Sequence, residues 1–166
     1  MATVENALNA IRHVVQDHSD EGTHLGVPAD MESIHWFGRL LGWEWPPSYV
    51  ELLSRHNGVN VQDAIVFGFL ESIEIMLQHR ETWRHQGYWP VATDGCGNFF
   101  VMALGQRVAS GECPVVFLDA AADADDQPTV VATSYADFVV TQMRQQCEGF
   151  DCTELAESGA ADASGV

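Results

Sequence analysis

Lysine is absent from this chain of 166 residues. All seven of its basic residues are arginine, and they stand against 24 aspartates and glutamates, for a net charge of −17. A surface that negative repels phosphate backbones and anionic lipid, which argues against nucleic acid and membrane surfaces as partners. It suits a basic protein instead, whose encounter the field would speed. Nothing in the sequence approaches the roughly 18 apolar residues in a row that a membrane-spanning helix needs. Met1–Ala10 mixes polar and apolar residues and carries Glu5, unlike the basic-then-apolar leader of a secreted chain. A cytoplasmic location is therefore expected.

Other chemistry is missing as well. The four cysteines, Cys96, Cys113, Cys147 and Cys152, form no C-x-x-C pair, so free thiols are expected rather than a disulfide framework. His13 and His18 are five apart and His79 and His85 six apart. A spacing of four would stack two ligands on one helix face, and neither pair has it. No Walker-type phosphate loop occurs, and its lysine is lacking. No metal and no other cofactor is expected.

What is present is a globular composition, 46% hydrophobic, in a chain long enough to hide about 70% of its unfolded surface in one domain. Val4, Leu8, Ile11 and Val15 recur at helical spacing, predicting a helix over 3–18, followed by the polar link Ser19–Thr23. Asp30 is placed to cap a helix running to Leu41, with Ile34, Phe37 and Leu41 inward and Trp36 and Leu40 widening the apolar stripe. Gly42 suits the left-handed residue that ends a helix, and Pro47 suits the first position of the next. In that helix Tyr49, Leu52, Leu53 and His56 share a face, and His56 would feel the negative end of the helix dipole. Asn57-Gly58 closes it and releases the chain into strand-like residues.

The apolar run Ile65–Leu70 is read as a buried strand, and Ser72 as the cap of a helix to about Trp83 with Ile73, Met76, Leu77 and Trp83 inward. Trp89–Thr93 and Phe99–Leu104 form a hairpin across the Asp94–Asn98 turn, whose glycines suit positive φ. Further strands are expected at Pro114–Leu118 and Thr129–Ala132. Ser134 then caps a final helix with Tyr135, Phe138, Val139 and Met143 inward. The order gives an α+β fold, with a mostly antiparallel five- to six-stranded sheet and helices packed against it. Three segments follow: an N-terminal helix and linker over 1–29, the main domain over 30–149, and a small, acidic tail over 150–166 expected to be disordered.

Three stretches resemble one family. Leu40–Val59 carries an elbow, a Tyr-x-x-Leu-Leu helix and Asn-Gly; Asp94-Gly95-Cys96-Gly97-Asn98-Phe99-Phe100-Val101 is similar to an "Asp-Gly-x-Gly-Asn, aromatic" hairpin; Val130–Phe138 resembles a closing strand and helix. In this order they resemble the SUKH superfamily over about residues 30–147, although the usual single Leu-Pro of the elbow is here Trp45-Pro46-Pro47. That superfamily includes bacterial immunity partners of secreted toxins and fungal cell-wall-assembly regulators. The resemblance implies a SUKH-like scaffold and a non-enzymatic, stoichiometric protein binder, with a basic, nuclease-type toxin as the expected partner. The alternative it implies is an intracellular regulatory scaffold of the fungal type.

A third alternative is a small hydrolase using Cys96, but turn geometry already accounts for the glycines around it and no histidine is placed beside it by the sequence. The candidate partner-binding residues are Trp43, Glu44 and Trp45 of the elbow, Glu71 and Glu74 of the following helix, and Asp119, Asp123, Asp125 and Asp126 of an acidic loop. Trp43 and Trp45 would point one way and Glu44 the other. Core packing is the favoured reading for the pair, with one ring filling the core, while an exposed Trp beside acids has the composition of an interface anchor. For the loop acids a plain solvated charge run is the competing reading.

Overall fold

Thr3 opens the first helix: its hydroxyl accepts the backbone N–H of Asn6, and its own backbone N–H donates to Asn6 Oδ1. The computed structural model describes residues 1–19, 22–61, 63–122 and 127–146. Their elements run α1 (Val4–Asp17), β1 (His24–Leu25), α2 (Met31–Leu41), α3 (Pro47–Leu53), β2 (Val59–Val61), β3 (Ala64–Val66), α4 (Phe69–Gln86), β4 (Tyr88–Thr93), β5 (Phe99–Ala103), β6 (Val115–Leu118), β7 (Thr129–Ala132) and α5 (Tyr135–Gln145). The strands form one antiparallel sheet in simple chain order, β1 to β7. The fold is α+β as expected, with seven strands among the described residues rather than five to six. The additional strand is β1, a two-residue pairing of His24 and Leu25 with Asn60 and Val59, too short to leave a period in the sequence.

Neighbouring residues on β5 show that the sheet is covered on both sides, because successive side chains point to opposite faces. The ring of Phe99 meets Trp83 of α4, with centroids 5.4 Å apart, whereas that of Phe100 meets Phe138 of α5 at 5.1 Å. α1 buries Ala7, Leu8, Ala10, Ile11 and Val14 and packs against α5 and α3. Trp89 is central to the core. It touches the rings of Phe37, Trp43, Trp45 and Phe69 and is fully shut off from solvent.

The turn after α3 shows how the sequence positions these parts. Gly58 has φ of 92°, and a Cβ there would sit 2.6 Å from the backbone nitrogen of Gly68, so only glycine fits. Asn57 Oδ1 accepts the backbone N–H of Phe69 at 2.7 Å, and Glu71 Oε2 accepts that of Gly68 at 2.7 Å. Together these two side chains cap α4, since a glycine N-cap has no side chain of its own to do so.

That capping corrects the expected strand over Ile65–Leu70. The strand ends at Val66, and the helix starts at Phe69 rather than after Ser72, which is buried inside α4. Leu77, expected inward, lies outside the core (59% exposed), as do Trp36 (56%) and Leu40 (60%), expected to widen the apolar stripe of α2. An apolar stripe wider than the groove it fills leaves its margin in water. α3 is also shorter than expected, and His56 lies beyond its end.

Candidate functional site

The elbow between α2 and α3 is built by close approach. Gly42 takes the left-handed conformation (φ 72°), and Trp43 N–H donates to the carbonyl of Gly38 at 2.9 Å. Trp45 is buried and its Nε1–H donates to the carbonyl of Ile34 at 2.7 Å. Trp43 is half-buried, edge-on to both Trp45 and Trp89. Glu44 points away from the two tryptophans' contacts, its side chain 89% exposed.

The loop between β5 and β6 straps this elbow down. Arg107 donates from Nη1 to Glu44 Oε2 at 2.9 Å and from Nη2 to the Glu44 carbonyl at 2.6 Å. Five residues on, the buried Glu112 takes the Ser48 backbone N–H at 2.9 Å and the Ser48 hydroxyl at 2.7 Å. A carboxylate at the first turn of α3 satisfies an otherwise unpaired backbone donor. Pro47, at the first position of α3, needs no such partner.

The other candidate residues lie on separate elements. Glu71 is exposed, with one oxygen occupied in capping α4. Glu74 is exposed on the same helix, between the exposed Leu70 and Leu77. Asp119 is exposed just past β6, where its Oδ1 accepts the Ala121 N–H at 2.8 Å. Asp123, Asp125 and Asp126 lie outside the described residues. The elbow thus gathers Trp43, Glu44 and Trp45, while α4 and the end of β6 hold the rest. Trp36, Leu40, Leu70 and Leu77 face outward, and no sequence signal marks them, because apolarity alone does not tell a core position from a surface one.

At the β4–β5 turn, Asp94 gathers the tip: its side chain accepts from the Asn98 amide at 2.6 Å and from the backbone of Cys96 at 2.8 Å. The Asn98 contact, with the backbone donors, holds the Asp94 carboxyl below the usual carboxylate range. Cys96 is exposed at that tip; Cys113 is buried, and burial, with Glu112 beside it, pushes its thiol up to about 12. A thiol so displaced is a packing residue, not a nucleophile. His56 also differs from expectation. Its loss of solvent, followed by the nearby Arg12 and Arg55, lowers its pKa, where a position in the last turn of a helix would have raised it.

Among the described residues no group of three or more His, Cys, Asp or Glu is arranged to hold a metal ion, and no helix is long and apolar enough to cross a membrane. No curated protein gives a significant match to the chain. Residues 28–141 match the model of the SMI1 / KNR4 family (SUKH-1).

Proposed function

The chain belongs to the SMI1/KNR4 family, SUKH-1, whose members have protein-binding and immunity roles, and from that premise we propose that it is an immunity protein. It neutralises a basic, nuclease-type bacterial toxin by stoichiometric binding and makes or breaks no bond of its own. The observation that carries this is the charge: 24 acids against seven arginines on a scaffold of a binding family. Acidic surface draws a cationic partner in and orients it, and apolar contact then holds it. Contact is assigned to the elbow, with Glu44 outermost and Trp43 and Trp45 behind it, to Glu71 and Glu74 of α4, and to the acids from Asp119 through Asp123, Asp125 and Asp126.

The test is a binding assay with basic nuclease toxin domains, beginning with any encoded beside the gene. Association should slow and affinity weaken as salt rises, because screening shortens the reach of the field to about 8 Å at physiological ionic strength. An association rate that ignores salt, or turnover of any substrate by the purified chain, would defeat the proposal.

A further inference from the structure

Past the end of β6 the surface opens into a cavity of about 590 Å³, whose lining includes the aromatic residues Trp83, Tyr88 and Phe117 together with Asp119. Gln86 and Gln127 line it too. Asp119 is the one charged residue among the described lining. Its Oδ1 is held by the Ala121 N–H, which fixes the carboxylate, and no hydrogen bond within the described residues engages Oδ2. Trp83 is fixed as well: it is nearly buried and its ring stacks on His79, centroids 4.1 Å apart and 16° from parallel.

Aromatic rings attract cations to their faces, and a guanidinium adds planar stacking and a fork of donors suited to a carboxylate and amide carbonyls. A neutral ligand would leave the Asp119 charge unanswered, and an anion would be repelled by it. We propose that this cavity receives an arginine side chain of the protein partner, with Asp119 and the amide oxygens taking its N–H groups and the three rings enclosing its plane. The inference rests on the partner being basic, as proposed above.

The test follows the five tryptophan indole N–H resonances of the full ¹⁵N-labelled chain while hexa-arginine or hexa-lysine is added. Trp83→Phe serves only to assign its signal. The Trp83 resonance should move and saturate with hexa-arginine, and Asp119→Asn, an exposed substitution that keeps the fold, should weaken that response roughly tenfold. Equal responses to the two peptides would overturn the assignment to a guanidinium. Hexa-arginine binding that leaves Trp83 unmoved, or that ignores Asp119→Asn, would overturn the cavity while leaving a basic partner in place. No binding of either peptide would count against both.

Discussion

The indole Nε1–H of Trp89 donates a 2.8 Å hydrogen bond to the hydroxyl of Tyr49, and both side chains are fully buried. This pair joins β4 to α3 in the middle of the core. Loss of solvent drives the Tyr49 hydroxyl far above its ordinary pKa, so it stays neutral and available as an acceptor. Tyr49→Phe removes the acceptor and strands the indole donor, which should cost about 1–3 kcal/mol. Urea unfolding measures it. Trp89→Phe combined with Tyr49→Phe should cost less than the sum of the two, because no orphaned donor is left.

Gly38 is the second sensitive point. A Cβ at this position would lie 2.7 Å from Trp45 Nε1 and 2.8 Å from the carbonyl oxygen of Trp43. Gly38→Ala should gain about 1 kcal/mol in helix propensity and lose roughly 1–3 kcal/mol by overpacking. Net destabilisation in urea, with a changed near-ultraviolet tryptophan spectrum, is the expected result. A more stable variant would show that the elbow yields.

His56 makes stability depend on pH. Its folded value is depressed below 6.5, first by burial and then by Arg12 and Arg55, so the unfolded chain takes the proton more readily. Its contribution is complete above the ordinary value and is lost as pH falls through and below it. Between about pH 7.5 and 5 the melting temperature of the parent should therefore drop more than that of His56→Gln. Parallel curves would remove His56 from the balance.

The two described cysteines should separate under a thiol reagent. Peptide-resolved alkylation in native buffer should label Cys96 quickly, while Cys113, buried with its pKa pushed up to about 12, should label only on unfolding. Comparable rates would mean that the loop holding Cys113 opens readily in the folded protein.

Much of the fold could be read directly from residues with local rules. Asp30, Gly42, Pro47 and Ser134 all occupy the helix ends expected of them, and the Asp94–Asn98 turn joins the expected hairpin. The failures came where the deciding partner is distant in sequence. Asn57 looked like a helix terminator, yet its side chain caps a different helix at Phe69, twelve residues later. Gly68 followed by Glu71 was the available sign that α4 starts early, but the apolar run over Ile65–Leu70 masked it. At the elbow, the sequence marked Trp43, Glu44 and Trp45 but not the strap of Arg107 and Glu112, 63 and 64 residues from the groups they hold. The cavity beside Asp119 was equally hidden, since its rings come from α4, β4 and β6.

The pairing of α1 with α5 has a consequence for synthesis. The backbone N–H of Ala2 is bound by the carboxylate of Asp137, and Leu8 and Ile11 share the core with Phe138 and Met143. During synthesis α1 therefore waits, greasy and unsheltered, until α5, more than a hundred residues later, has been translated. A nascent chain stalled before α5 should be a substrate for chaperones and proteases, and the protection proposed for this protein would begin only once α5 has joined α1.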